Sequence, residues 1–282
     1  MAKSLICPRA LSDEGLHRLL ADDVPGGDLT TETLAIGACA GRVEFRARGA
    51  MRVCASEEAV RMFELVGAGA VLHVPSSSGV EAGTLLLEAT GSAATLHQAW
   101  KVAQTLMEWA SGIASSAAEI VAAAAPVAVA CTRKNVPGTK AMSVKAVKAG
   151  GAIMHRLGLS ETLLLFAEHR LFLDESPQET AARLRRAQPE RKITVEVGSV
   201  AEALVWARAG AGVLQLEKFS PGELDACRQG LRQEGLAAVL VAAGGVNAGN
   251  APAYVAAGAD LIATSAPYSA PPRDVQVRFF RA

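Results

Sequence analysis

Short apolar runs alternate with amphipathic segments through the second half of this chain, and this pattern restricts the fold more than any other feature. The runs predict strands at residues 126–131, 151–154, 162–166, 193–197, 212–216, 237–243 and 260–264. The segments between them predict helices at residues 139–149, 177–187, 199–209, 221–234 and 250–257. Repeated βα units form parallel sheets whose faces are covered by helices. Because the runs number seven, we expect a closed or nearly closed α/β barrel.

The first part of the chain has another pattern, which is typical of a small α+β unit. Leucines at helical spacing predict a helix over residues 11–20. Apolar and charged residues alternate over residues 43–47, as in a half-buried strand, and further strands are predicted at residues 70–74 and 84–89. Residues 56–65 predict an amphipathic helix whose first residue, a serine, is the N-cap.

Basic side chains follow two of the predicted strands at the point where each strand ends. Arg133 and Lys134 come after the first strand, and His155 and Arg156 come after the second. The carboxyl ends of parallel strands open onto the face where α/β proteins bind ligands. We therefore expect one pocket for an anionic substrate that carries phosphate or carboxylate groups. The alternative is that these cations are solvated residues of surface turns.

Two carboxylates occupy comparable positions on neighbouring strands. Glu196 lies within an otherwise apolar strand, and Glu217 ends the next one. Because a charge inside such a strand needs a partner, the pair is expected to hold Mg²⁺ or the hydroxyl groups of a sugar. A salt bridge to Lys134 or Lys218 is the alternative.

Small residues end the last two predicted strands. Gly244 and Gly245 follow one of them, and Thr264 and Ser265 end the other. In barrels, the loops after the final strands often bind a phosphate through backbone N–H groups. These residues are therefore candidates for a phosphate site.

Composition excludes several classes of function. The 28 basic residues balance 28 acidic ones, so binding of nucleic acid through the whole surface is not expected. No apolar run is long enough to cross a bilayer, and the apolar stretch near Met1 is too short for a signal peptide. The five scattered cysteines lack CxxC spacing and are interpreted as small buried hydrophobic residues. We expect a cytoplasmic protein that binds neither nucleic acid nor membranes.

Several segments, taken in order, resemble the quinolinate phosphoribosyltransferases, which are also called carboxylating nicotinate-nucleotide pyrophosphorylases. Within this family the chain is most similar to the ModD branch. The segments that carry the resemblance span most of the chain and lie at residues 23–30, 111–114, 132–138, 150–159, 195–197 and 244–245.

The resemblance implies an α/β protein with two domains. Residues 1–110 would form an open N-terminal α/β sandwich that residues 270–282 rejoin, and residues 111–269 would form an incomplete parallel α/β barrel. The resemblance also implies a homodimer, or a hexamer formed as a trimer of dimers. In such an assembly the sandwich of the partner subunit would close the mouth of the barrel.

The family reaction transfers phosphoribosyl from phosphoribosyl pyrophosphate to the nitrogen of quinolinate, with Mg²⁺ present and with release of pyrophosphate and CO₂. By resemblance, the residues that would bind the pyridine acid are Arg133, His155 and Arg156. The catalytic residues would be Lys134 on the pyrophosphate, and Glu196 and Glu217 on the ribose or Mg²⁺. The residues that would bind the 5′-phosphate are Gly244, Gly245, Thr264, Ser265 and Ser269.

Four positions depart from the family pattern. One lies near the end of the chain, where Pro267-Tyr268-Ser269 replaces the family's Thr-His-Ser. Lys101 stands where the family has an arginine that reaches into the neighbouring subunit. Glu217 stands where the family has an aspartate. Phe166 replaces a lysine, which removes a cation from a pocket built for a dicarboxylate and adds an apolar ring. We therefore expect the phosphoribosyl half of the site to be better preserved than the quinolinate half.

Four functions remain open at this point. The acceptor is quinolinate itself, or it is another nitrogen heterocycle with fewer acidic groups. A third possibility is a protein that binds a phosphorylated metabolite without converting it and is linked to molybdate transport. A fourth uses Lys134 as a Schiff-base nucleophile, although no paired acid is apparent.

Overall fold

The computed structural model describes residues 8–282, which divide into two units. The first unit contains residues 8–118, 135–151 and 267–282. The second unit contains residues 119–134 and 152–266. The predictions for the first seven residues, which concern a signal peptide and Cys7, lie outside the described residues.

Ten α-helices and thirteen strands make up the described chain. The helices are α1 (Asp13–Asp23), α2 (Leu29–Thr33), α3 (Ser56–Leu65), α4 (Ala93–Ala124), α5 (Lys140–Ala149), α6 (Ala167–Arg170), α7 (Pro177–Ala187), α8 (Val200–Arg208), α9 (Pro221–Gln233) and α10 (Ala251–Ala256). The strands are β1 (Ala40–Ala47), β2 (Met51–Arg52), β3 (Gly69–Leu72), β4 (Gly79–Val80), β5 (Leu85–Ser92), β6 (Ala128–Cys131), β7 (Ile153–Met154), β8 (Leu163–Leu165), β9 (Ile193–Val197), β10 (Val213–Glu217), β11 (Val239–Ala243), β12 (Leu261–Thr264) and β13 (Val275–Arg281). A short 3₁₀ helix, Ala266–Ser269, follows β12.

The first unit contains a four-stranded antiparallel sheet in the order β13-β1-β5-β3. The alternation of β1 buries Val43, Phe45 and Ala47, as predicted from the sequence. The ring of Phe45 packs edge-on against that of Phe63 on α3, with the ring centroids 5.7 Å apart. Helix α3 therefore covers the apolar face of this sheet. The C-terminal strand β13 belongs to this unit and pairs along the whole of β1.

The second unit contains a seven-stranded parallel sheet in the order β7-β6-β12-β11-β10-β9-β8. All seven strands predicted from the apolar runs are present, and the predicted helices between them are confirmed. Within the described residues, the edge strands β7 and β8 do not pair with each other, so the barrel is incomplete. Small apolar side chains fill the space inside it: Val213, Val239, Val241, Ala243, Leu261 and Ala263.

The structure corrects the predicted start of α3. Ser56 is the first helical residue rather than the N-cap, and its hydroxyl is buried without a hydrogen-bond partner among the described residues. The N-cap is Ala55, whose φ of 69° places it in the left-handed region, and no side chain caps the helix. The N–H of Ala55 donates to Ser76 Oγ at 3.0 Å. A contact distant in sequence therefore sets this helix terminus.

The cysteines of the described chain are all free thiols. Cys54, Cys131 and Cys227 are buried, as expected for small hydrophobic residues, whereas Cys39 is exposed and corrects that expectation. Burial raises the pKa of the Cys54 thiol to about 12. Across residues 8–282, no helix has both the length and the hydropathy of a membrane span.

A buried ionic cluster joins α3 to α5 inside the first unit. Lys145 Nζ lies 2.9 Å from Glu57 Oε2 and 2.6 Å from Glu58 Oε2. These side chains are 5%, 6% and 0% exposed, respectively. Burial opposes their charged forms, yet Glu58 and Glu57 raise the pKa of Lys145. The pKa of Glu57 is lowered first by the hydrogen bond from the Ser76 hydroxyl and then by Lys145. The cluster therefore stabilises α5 as a charged unit.

Candidate active site

The carboxyl ends of the parallel strands enclose a cavity of about 630 Å³ in the second unit. Because the strands are parallel, the residue that follows each one faces the same end of the sheet. All but two of the site residues predicted from the sequence line this cavity: Arg133, Lys134, His155, Arg156, Phe166, Glu196, Glu217, Gly244, Gly245, Thr264 and Ser265.

One part of the cavity wall is cationic. Arg133 and Lys134 follow β6, and Arg156 follows β7 with only 7% of its surface exposed. Within the described chain, none of these three forms an ion pair with an acidic side chain. Burial and, second, the charge of Arg133 lower the pKa of Arg156. The cations are therefore available to an anionic ligand.

His155 has a different character from its cationic neighbours. Its backbone N–H donates to Cys131 O at 2.8 Å, which ties the start of its loop to β6. Burial and, second, the guanidinium of Arg156 lower the pKa of His155. Both causes favour the neutral imidazole, which can bind a ligand through hydrogen bonds rather than through charge.

The aromatic rings of Phe166 and His169 lie near the buried guanidinium of Arg156. The Phe166 ring lies parallel to the His169 imidazole, at an interplanar angle of 18° and a centroid distance of 5.7 Å. The backbone N–H of Phe166 donates to His169 Nδ1 at 3.0 Å. Arg156 Cζ lies 5.6 Å from the centroid of the Phe166 ring. This arrangement fits a flat ring that carries an acidic group.

The acidic side chains lie on the next two strands. Glu196 on β9 is the register partner of Gln215 on β10, and Glu217 lies two residues further along the same face of β10. Gln215 Nε2 donates to Glu196 Oε2 at 2.6 Å. Burial and, second, the charge of Glu217 raise the pKa of Glu196. No ion pair links either glutamate to Lys134 or Lys218 in the described chain, so the alternative of a structural salt bridge is not observed.

Glu196 and Glu217 could supply some, but not all, of the ligands of a divalent cation. The repulsion between Glu196 and Glu217, seen in the raised pKa of Glu196, would be relieved by a bound cation. No group of three or more His, Cys, Asp or Glu side chains suited to a metal is found among residues 8–282. The pair would therefore supply only some ligands, and substrate oxygens and water would supply the rest, as is common for Mg²⁺.

The ends of β10 and β11 approach each other closely at the cavity. Lys218 N donates to Ala243 O at 2.8 Å. A Cβ atom at Gly244 would lie 2.9 Å from Lys218 N, and the φ of Gly244 is +86°. Thr264 Oγ1 donates to Val246 O at 2.6 Å, which fixes the loop that follows β11. Glycine at position 244 is thus required by both its conformation and its surroundings.

Replacing Gly244 with alanine is expected to reduce the free energy of unfolding more than the same change at Gly245. Both residues have positive φ, but a Cβ atom at Gly245 would meet nothing within 4 Å. Backbone strain of about 1–3 kcal/mol applies to both variants, and overpacking adds about 1–3 kcal/mol at Gly244 alone. Urea denaturation of the two variants measures the difference. Equal losses would show that the close approach at Gly244 carries no cost.

Two predicted residues do not line this cavity. Lys101 belongs to α4 in the first unit, where its Nζ lies 4.0 Å from the centroid of the Trp100 ring and donates to Gln104 Oε1 at 2.9 Å. Ser269 is exposed at the end of the 3₁₀ helix and is also part of the first unit. The roles assigned to these residues by resemblance stay predictions.

The predicted site lacks four polar residues that line the cavity: Thr132, Glu168, Gln215 and Lys218. Gln215 had a usable signal, because it interrupts an apolar strand as Glu196 does. Glu168 had none, since an exposed glutamate on the four-residue helix α6 is ordinary for a protein surface.

An incomplete α/β barrel with cations and carboxylates at its strand ends has the arrangement of barrel enzymes, whose active sites lie at this end of the strands and often bind phosphate. The chain belongs to the quinolinate phosphoribosyl transferase family: residues 28–111 match the N-terminal domain of that family, and residues 113–278 match the C-terminal domain. The resemblance seen in the sequence is thereby confirmed, and the chain is a member of a family of phosphoribosyltransferases.

Within this family the chain is similar to the ModD proteins, whose name assigns them provisionally to the pyrophosphorylases. It is 53% identical over 246 residues to ModD of Rhodobacter capsulatus, covering 86% of this chain and 95% of that protein. It is 38% identical over 273 residues to ModD of Escherichia coli, covering 95% and 96%. The fold matches the nicotinate-nucleotide pyrophosphorylase of Francisella tularensis with a TM-score of 0.85, 20% identity and 94% coverage of each chain.

Proposed function

We propose that this protein transfers the phosphoribosyl group of phosphoribosyl pyrophosphate to the ring nitrogen of quinolinate or a related pyridine acid. The observation that carries the proposal is a single cavity with unpaired cations on one part of its wall and two carboxylates on another. The cations suit the acid and the pyrophosphate, and the carboxylates suit the ribose. Membership of the family supports the same reaction.

The proposed reaction breaks the bond between the ribosyl carbon and a pyrophosphate oxygen and forms a bond from that carbon to the ring nitrogen. The electron pair of the broken bond leaves with pyrophosphate, where Lys134 meets the growing negative charge. Glu196 and Glu217 lie where they can offset positive charge on the ribosyl carbon. Glu196 and Glu217 would hold Mg²⁺, which would supply positive charge against the leaving pyrophosphate. Gly244 and Gly245 present backbone N–H groups for the 5′-phosphate.

The acceptor half of the cavity favours an acid with fewer negative groups than quinolinate. Arg133 and Arg156 can bind one carboxylate of the acceptor, and the ring can pack on Phe166. A second carboxylate beside Phe166 and Glu168 would meet an apolar ring and a like charge. An unpaired carboxylate in such a place costs several kcal/mol. Quinolinate, with loss of CO₂, is the second candidate because both domains match the models of the quinolinate phosphoribosyl transferase family.

Changing Phe166 to lysine is expected to raise kcat/KM for quinolinate by about 10-fold to 100-fold, because it restores a charge-assisted hydrogen bond to the second carboxylate. Initial rates of pyrophosphate release, with phosphoribosyl pyrophosphate and Mg²⁺, would be compared for pyridine mono- and dicarboxylic acids. Phe166→Met is the matched control, since it changes the side chain without adding charge. No gain on quinolinate in the lysine variant would overturn this account of the pocket.

Two further measurements test the alternatives of a non-catalytic binding protein and of Schiff-base chemistry. Intact phosphoribosyl pyrophosphate after long incubation with saturating acceptors, despite measurable binding, would favour a binding protein. Trapping of a carbonyl substrate on Lys134 with borohydride would favour Schiff-base chemistry. The proposal also includes a homodimer or a trimer of dimers, with Lys101 contributed to the cavity of the partner, a cytoplasmic location and a link to molybdate transport.

A further inference from the structure

Gln215 is a buried polar residue that none of the roles above uses. It lies in the middle of β10 with 8% of its surface exposed, and its register partner on β11 is Val241. Val241 belongs to an apolar cluster with Ala243 and Ala263. A buried amide in such a place costs free energy unless its polar atoms are hydrogen-bonded. We therefore expect both the amide nitrogen and the amide oxygen of Gln215 to have hydrogen-bond partners.

The protein supplies a partner for only one of the two atoms. The amide nitrogen Nε2 donates to Glu196 Oε2 at 2.6 Å. Because a carboxylate accepts and does not donate, the nitrogen must face Glu196 and the oxygen must face away from it. Among the described residues, Gln215 Oε1 has no hydrogen-bond partner, while the side chain lines the cavity. An acceptor oxygen is thus presented to whatever the cavity binds.

We propose that Gln215 is a specificity-determining residue whose Oε1 accepts a hydrogen bond from the hydroxyl group at carbon 2 of the ribose. The inference rests on the proposed function. Gln215 is in register with Glu196 and two residues from Glu217, so the three acceptors lie on one face of β9 and β10. A ribose offers two adjacent O–H donors that match such a set. Gln215 also positions Glu196, because its Nε2 fixes one carboxylate oxygen and leaves the other for the sugar.

The sugar's hydroxyl group at carbon 2 provides a direct test. Titration calorimetry would compare ribose 5-phosphate with 2-deoxyribose 5-phosphate on the wild-type protein, Gln215→Met and Gln229→Met. The methionine side chain in Gln215→Met is close in shape to the original but has no amide, and Gln229 is an exposed residue of α9 outside the cavity. We expect the wild-type protein and Gln229→Met to prefer the ribose compound by about threefold to tenfold, and Gln215→Met to lose that preference.

Kinetics supply a second readout that a purely structural role would not move. In Gln215→Met the KM for phosphoribosyl pyrophosphate should rise while the KM for the acceptor acid stays within about twofold, because the variant removes the hydrogen bond to the ribose and the hydrogen bond that positions Glu196. A wild-type protein that binds both sugar phosphates equally would overturn the inference, and so would a Gln215→Met variant that retains the preference. Failure of the wild-type protein to bind phosphoribosyl pyrophosphate or either sugar phosphate would instead overturn the proposed function.

Discussion

Changing Arg156 to methionine is expected to lower kcat/KM for phosphoribosyl transfer by about 100-fold or more. The guanidinium is buried and unpaired at the cavity wall, so a bound carboxylate would lose its charge-assisted partner and remain desolvated. The free energy of unfolding should stay unchanged or increase, because the variant removes a buried cation that Arg133 repels. Initial rates of pyrophosphate release and thermal unfolding measure the two effects on the same protein preparation.

A lower kcat/KM without a lower free energy of unfolding would identify a ligand-binding role for Arg156. Arg186→Met provides the matched control, since Arg186 is exposed on α7 and does not line the cavity. Arg156→Lys keeps the charge but loses the planar fork, and should recover part of the activity. Full activity in Arg156→Met, or a large loss of stability without a loss of activity, would contradict the assignment.

Changing Lys145 to methionine is expected to reduce the free energy of unfolding by about 3–5 kcal/mol. The substitution leaves Glu57 and Glu58 as uncompensated negative charges in a site that is closed to solvent. Urea denaturation followed by circular dichroism measures the loss. Lys148→Met is the control, because Lys148 is on the same helix but is exposed.

A triple variant tests whether charge is the cause. Adding Glu57→Gln and Glu58→Gln to Lys145→Met removes the buried negative charges, and most of the lost stability should return. If Lys145→Met alone is as stable as Lys148→Met, the cluster does not hold α5 to α3. If the triple variant is less stable than the single one, packing rather than charge explains the effect.

Local patterns predicted the second unit well, for identifiable reasons. Helices α7 and α9 begin at residues where a serine and the glutamate three positions later cap each other, at Ser176 with Glu179 and at Ser220 with Glu223. The apolar runs between the helices are short and bounded, as buried parallel strands are. Since parallel strands bring their carboxyl ends to one edge, the order of residues along the chain was enough to place Arg133 and Arg156 at the same cavity.

Such local patterns could not predict contacts between residues that are far apart in the sequence. Lys145 and Glu57 are 88 positions apart, and each alone is an ordinary residue of an amphipathic helix. The same applies to the start of α3, where Ser76 binds the backbone of Ala55 and displaces the expected serine cap. Sequence distance between partners, rather than an unusual residue type, is the reason that these features were missed.

By itself, the sequence determined the strand and helix pattern, the barrel class and the residues at the strand ends, because periodicity and capping act within a few positions of the chain. Only the tertiary structure decided which polar atoms have partners. It paired Gln215 with Glu196, left the Gln215 oxygen to the cavity, and left Arg156 without a counter-ion among the described residues. The physical reason is that hydrogen bonds and desolvation depend on what surrounds an atom in space, and that environment is assembled from strands far apart in the chain.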